Sequence, residues 1–365
     1  MADLFSYASP PVSRSRSRAW YAIVMLTCAA LPLLIVAAIN YVNPGSDILF
    51  QRNTNIRISY LAEHSDKGEV VLIGSSRANA LDIQARLSPS GYTFPMMGGW
   101  LDSYLYYFQL LIDNDIAPEV LLLGFGEAAT QEMPGYALSM LSAGEETWID
   151  TAQRLLSIPG SEKLKRFYAR LKKLNSSLLN PETGREYCKQ CEAFYDKKTD
   201  AELQQALDIQ TVDILTKNQR IRSRHKIDQL TADEALENSI EKLHAIVRLA
   251  EEHDVKLFIY ADPVYRPVYL SEEHDNWFAF KQRLAKITGF LDFGTHNEEF
   301  NSPRGFYDPI HYNEHLGNRL LDDIGKAMNG ETDDLELGTW LTSENADAYL
   351  EQQRATHEQL RHAAE

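Results

Sequence analysis

The sequence predicts an α/β fold: a mostly parallel sheet with helices on both faces. Three observations predict it. Short apolar runs recur at residues 70–73, 92–95, 120–124, 256–261 and 290–292, each of strand length. Between them, SYLYYFQLLIDN (103–114), ALENSIEKLHAIVRLAEEHD (235–254) and NWFAFKQRLAKIT (276–288) repeat apolar residues every three or four positions, the period of an amphipathic helix. The two kinds of segment alternate along the chain, and alternating strands and helices build a parallel sheet covered on both sides.

The 365 residues suffice for one large domain with insertions, and a 44% hydrophobic content supplies a sizeable core. A formal net charge of −16 argues against nucleic acid as a partner, because such binding rests on Lys and Arg meeting phosphates. The N-terminus is distinctive. AWYAIVMLTCAALPLLIVAAI (19–39) carries no charge and matches the roughly 20 apolar residues of a membrane-spanning helix. Arg14, Arg16 and Arg18 precede it, so the positive-inside rule puts residues 1–18 in the cytoplasm. Residues 19–40 then form a single-pass anchor in the inner (cytoplasmic) membrane, Pro32 being tolerable within it, with the rest of the chain on the periplasmic, extracytoplasmic side. A cleaved signal peptide ending near Ala37 and Ala38 is the competing reading.

Residues 41–69 read as a juxtamembrane connection and 70–329 as the main domain. A polar stretch at 132–231 interrupts that domain as a helical insertion between the third and fourth strands, and 330–365 read as a charged helical tail. Cys28 lies in the apolar span. Cys188 and Cys191 form CKQC, a spacing open to a zinc half-site, a redox dithiol or a local disulfide. No second Cys-x-x-Cys exists and the next His is His225, so a short structural disulfide is the simplest of the three.

In an open parallel sheet, ligands gather at the carboxyl ends of the strands. Those ends hold Ser75 and Ser76 (VVLIGSSRA), Gly98 and Gly99 (PMMGGW), Gly126 and Glu127 (LLLGFGEAAT) and Asp262 (IYADPVY). After the fifth strand the chain enters GFYDPIHYNEHLGNRLL, with Asp308 and His311 three residues apart and Pro309 restricting the turn. A helix starting near Asn313 leaves the imidazole at a loop–helix junction facing the sheet edge. A carboxylate there holds the imidazole in one tautomer, and the imidazole can take the proton of a serine hydroxyl as it attacks a carbonyl.

Plainer readings stand beside these. Ser76 also suits a helix cap, and His311 a packed core position. Arg77 suits an ordinary salt bridge as well as a substrate anion. Glu127 reads as a solvated loop residue, Asp262 as a turn or cap residue before Pro263, and YLYYF (104–108) as helix packing. Asp308, His311 and His315 have a spacing that serves zinc, but DPIHYNEH lacks the His-Glu-x-x-His order of metalloproteases, so neither metal nor other cofactor is expected.

IGSSRA followed by the distant DPIH block and Gly317 resembles the SGNH/GDSL hydrolases, especially their membrane-anchored branch in bacterial envelope glycan and teichoic-acid modification. NYVNPGSDILF after the apolar span is similar to that branch, and the resemblance covers roughly residues 40–328 apart from the insertion. It implies a three-layer α/β/α, flavodoxin-like fold with five parallel strands. It also implies Ser76 as nucleophile, His311 as base and Asp308 as orienting acid. Backbone amides of Ser76 and of Gly98 or Gly99 would donate to the oxyanion, with Arg77 beside them. Ser75 stands where the family has Asp, and Gly126 where it has an Asn side chain as oxyanion donor. The implied activity is that of a serine esterase or O-acyltransferase, with acetyl as the expected acyl group, on an envelope or exported polysaccharide, with a membrane acyl-donor protein as a partner. The alternative is an inactive scaffold of the same fold that binds glycan or a membrane partner.

Overall fold

The computed structural model describes residues 46–64, 66–96, 98–131, 133, 178–187, 198–224, 232–271 and 274–364. The chain divides into two compact units, residues 1–50 with 146–174 and residues 51–145 with 175–365. The second unit carries the sheet.

The strands are β1 (Val70–Gly74), β2 (Tyr92–Pro95), β3 (Val120–Phe125), the short pair β4 (Leu178–Leu179) and β5 (Glu186–Tyr187), β6 (Lys256–Ala261), β7 (Phe290–Asp292), the pair β8 (Phe306–Asp308) and β9 (His311–Tyr312), and β10 (Thr339–Leu341). The α-helices are α1 (Ser46–Glu63), α2 (Ile83–Arg86), α3 (Leu101–Asp113), α4 (Asp200–Arg224), α5 (Ala232–Glu252), α6 (Arg266–Ser271), α7 (Asp275–Ile287), α8 (Glu314–Met328) and α9 (Ala346–Ala364).

Six strands form the main sheet in the order β10-β7-β6-β3-β1-β2. All neighbours are parallel except β10, which runs antiparallel to β7. From β1 the chain crosses to β2 on one side and then back to β3 on the other. The carboxyl ends of β1 and β3 therefore flank the point where the winding reverses, the place where such sheets open a crevice. Because side chains alternate along a strand, each strand serves two cores. Leu72 of β1, Leu122 of β3, Tyr260 of β6 and Leu291 of β7 pack in one cluster with Leu316, Leu320, Leu321 and Ile324 of α8. On the other face Phe125 meets Tyr104 of α3 and Phe280 of α7 edge-on, and α5 packs against both helices.

The five expected strands are all present, and the sheet has one more. The tail expected to be wholly helical contributes β10 before it forms α9. Buried Asp323 of α8 causes this: its carboxylate accepts the backbone N–H groups of Glu336, Leu337 and Gly338 and so leads the next residues onto the edge of β7. Trp340 then packs against Phe258. The insertion is not wholly helical either. Within it β4 and β5 pair antiparallel, while α4 sends Leu207 into the α8-side core and Gln204 to the hydroxyl of Tyr265. Residues 46–63, expected as a connection, form α1, whose Arg57 is buried and donates to the carbonyl of Gly184. Among the described residues, no helix is long and apolar enough to cross a membrane. The expected anchor at 19–40 and the Cys188–Cys191 pair lie outside the described residues.

One contact sets the position of α8. A Cβ on Gly317 would lie 2.3 Å from the carbonyl oxygen of Ala80, in the turn that follows β1. Gly317→Ala is therefore expected to lower stability by about 1–2 kcal/mol, because overpacking against backbone outweighs the gain in helix propensity. Gly325→Ala in the same helix, which would meet only the tip of Leu87, is expected to be the milder change. Thermal unfolding of both variants beside wild type checks the order.

Candidate active site

Ser76 opens the 3-10 turn Ser76–Ala80 that follows β1, and its side chain is exposed. The capping role belongs to Ser75, whose Oγ accepts the backbone N–H of Arg77 at 3.3 Å. The Ser76 hydroxyl is thereby left for another partner. Its Oγ lies 2.7 Å from Nε2 of His311.

Asp308 and His311 face each other across the β8–β9 hairpin. Nδ1 of His311 is 2.8 Å from Oδ2 of Asp308 and 3.0 Å from Oδ1. Oδ1 also accepts the backbone N–H groups of Ile310 and His311, each at 2.9 Å. Burial raises the pKa of the Asp308 carboxyl, but the hydrogen bonds from the imidazole and the two amides outweigh it and hold the group below the usual carboxylate range. An ionised Asp308 accepts the hydrogen bond of Nδ1–H, so Nε2 presents its lone pair to Ser76. Asn313 caps α8 through the N–H of Leu316 and anchors its own N–H on the carbonyl of Gly305, fixing the hairpin to the helix start. The helix begins where the sequence places it, and Ser76, His311 and Asp308 come together as expected.

Asp262 is not the turn or cap residue that the sequence suggests. It is buried at the end of β6, where Oδ1 accepts the hydroxyl of Tyr312 at 2.9 Å and Oδ2 that of Ser75 at 3.5 Å. Nη1 of Arg77 stands 3.9 Å from Oδ2. Burial pushes the Asp262 carboxyl up to about 6, with Arg77, Tyr312, Ser75 and His311 opposing the rise. Tyr104, Tyr260 and Tyr312 surround this carboxylate, and burial holds their hydroxyls protonated. A lone Asp-Pro signals a turn; only its place at a strand end marks it as part of the site.

The other expected residues divide. Gly98 and Gly99 both have positive φ, 87° and 99°, and a Cβ on Gly99 would lie 3.2 Å from Cβ of Ser75. The backbone of Gly99 thus reaches the residue beside Ser76. Gly126 lies against Arg77, whose Nε donates to the carbonyl of Ile310 at 2.7 Å. Glu127 is not a solvated loop residue: its carboxylate sits against Nδ1 of buried His274. Tyr104, Tyr107 and Phe108 are buried, as helix packing requires. His315 is exposed, and among the described residues no cluster of His, Cys, Asp or Glu is arranged to hold a metal ion.

The insertion hairpin joins the site without any mark in the sequence. Arg185 donates through Nε to the carbonyl of Asn79 at 2.9 Å and pairs with Asp82 at 2.9 Å, while the N–H of Glu186 reaches Oδ1 of Asn79 at 2.7 Å. These bonds clamp the turn that carries Ser76. The residues involved are ordinary polar ones in a polar stretch, and no local signal distinguishes them.

No protein-family model matches the chain, and no curated protein matches it.

The raised pKa of Asp262 has a stability consequence. Between about pH 4 and about pH 6 the folded state holds a proton that the unfolded state has lost, so this group's contribution falls as pH rises through that window and is level above it. Asp262→Asn removes the titration. Its stability relative to wild type is expected to rise by up to about 3 kcal/mol from pH 4 to pH 7, measured by denaturant unfolding at fixed pH steps.

Proposed function

We propose that this domain is a serine-dependent ester hydrolase or O-acyltransferase. The observation that carries the reading is the chain of hydrogen bonds from Ser76 Oγ to His311 Nε2 and from His311 Nδ1 to the Asp308 carboxylate. Oγ attacks the acyl carbonyl carbon while its proton passes to Nε2, and Asp308 stabilises the imidazolium that forms. The tetrahedral species collapses as the ester C–O bond breaks, and Nε2 returns the proton to the departing alcohol oxygen. The acyl group then rests on Ser76. Water or a second hydroxyl, deprotonated by His311, takes it in the reverse sequence.

Two further points support this reading. The three side chains meet at the carboxyl end of the sheet beside the winding reversal, where open α/β sheets bind ligands. The residues that carry the SGNH/GDSL resemblance are the ones in contact. An envelope or exported polysaccharide as substrate, acetyl as the acyl group, a membrane acyl donor as partner and an inner-membrane anchor follow from that resemblance together with the apolar segment at 19–40.

The test is acylation by p-nitrophenyl acetate, followed by nitrophenol release and by intact mass of the acetyl-enzyme. Ser76→Ala and His311→Ala are expected to abolish both, and Asp308→Asn to lower the rate by about 10²–10⁴-fold. Ser75→Ala is expected to retain the acetyl adduct, since the Ser75 hydroxyl is turned to Asp262. Loss on Ser75→Ala alone, with Ser76→Ala unaffected, overturns the assignment of the nucleophile.

A further inference from the structure

We infer that Arg77 is a catalytic residue, its guanidinium donating to the oxyanion from the space that Gly126 leaves open. The inference rests on the serine reading above. Attack by Ser76 puts a full negative charge on the former carbonyl oxygen, which needs donors aimed at its position before the reaction begins.

Four observations converge on Arg77. It follows Ser76 directly, so its position is tied to that of the nucleophile. Its Nε is held by the carbonyl of Ile310, the residue before His311, which ties it to the base as well. A Cβ built on Gly126 would lie 2.5 Å from Nη1, so the guanidinium fills the place of any side chain at that position. Gly74 and Gly124 are partners across β1 and β3, and Ser76 and Gly126 each lie two residues beyond them, on the two sides of the winding reversal.

The guanidinium is also hydrogen-bonded through Nε alone among the described residues. Its approach to Asp262, 3.9 Å from Nη1, is longer than a hydrogen bond, and among the described residues neither Nη nitrogen has a hydrogen-bond partner. The side chain is 15% exposed, which leaves it largely desolvated and open to a ligand. A cation in such surroundings stabilises a nearby anion far more than it would in water. Gly126 is then neither a defect nor a loss of the amide donor expected there. A side-chain amide at 126 and the guanidinium of Arg77 are alternative donors for one space.

The experiment measures kcat and KM for p-nitrophenyl acetate on the full chain in detergent, with near-UV circular dichroism on every variant. Arg77→Ala is expected to lower kcat by about 10²–10³-fold with KM changed by less than about threefold. Gly126→Ala, which keeps the arginine but displaces Nη1, is expected to lower kcat in the same way. The double variant Arg77→Ala/Gly126→Asn, which offers an amide in the vacated space, is expected to recover at least about tenfold over Arg77→Ala. A folded Arg77→Ala with wild-type kcat overturns the inference while leaving the serine reading intact. So does a loss in Arg77→Ala that Gly126→Asn leaves unrescued, since the arginine would then act only by neutralising Asp262. An acetyl adduct and turnover that Ser76→Ala retains overturn the serine reading, and this inference with it.

Discussion

The close approach of α8 to the turn after β1 is the constraint on which the site depends. Gly317 lets the helix backbone reach the carbonyl of Ala80, at a separation that a single methyl group would forbid. The segment leading into the helix is carried with it. Asn313 caps α8, the β8–β9 hairpin is bonded to that cap, and Asp308 and His311 sit on the hairpin. Residues separated by 235 positions in sequence, Ser76 and His311, meet within hydrogen-bond distance because two backbones do. The leucines and Ile324 of α8 supply the burial that holds the helix in this position.

Beneath that contact lies a buried carboxylate. Asp262 joins the end of β6 to Ser75 after β1 and to Tyr312 of β9, so one acceptor links three segments that support Ser76 and His311. Burying a carboxylate costs free energy unless it is bonded or neutralised, and here Tyr312, Ser75 and the more distant Arg77 share that task. The arrangement leaves Arg77 near a negative charge without a hydrogen bond to it. That geometry keeps a cation in place without exhausting its donors. The insertion hairpin also bonds Asn79 in the same turn and Asp82 just beyond it. Ser76 is thus carried on a short turn braced from α8, from Asp262 and from β4–β5.

The five parallel strands, the helices on both faces and the pair Ser76 and Asp-x-x-His were legible in the residues, because each has a local cause. A strand buried on both faces is an uninterrupted apolar run, a helix covering it repeats at three and four residues, and a candidate serine at a strand end follows a glycine. β10 was not legible, because its place is set by Asp323, sixteen residues earlier, accepting three backbone N–H groups. The hairpin in the insertion was hidden for the same reason: its partners, Asn79, Asp82 and Arg57, lie about a hundred residues away.

The sequence by itself determined the five parallel strands, the main helices between them and the chemical identity of the candidate triad, since periodicity, turn residues and the Asp-x-x-His spacing act over a few residues. Only the tertiary structure decided which serine faces His311, that Asp262 is a buried acceptor rather than a cap, and that the missing side chain at Gly126 is the seat of a guanidinium. Those outcomes turn on distances of a few ångströms between backbones that are remote in sequence. Hydrogen bonding and steric exclusion act at that range, and no pattern of residue types records it.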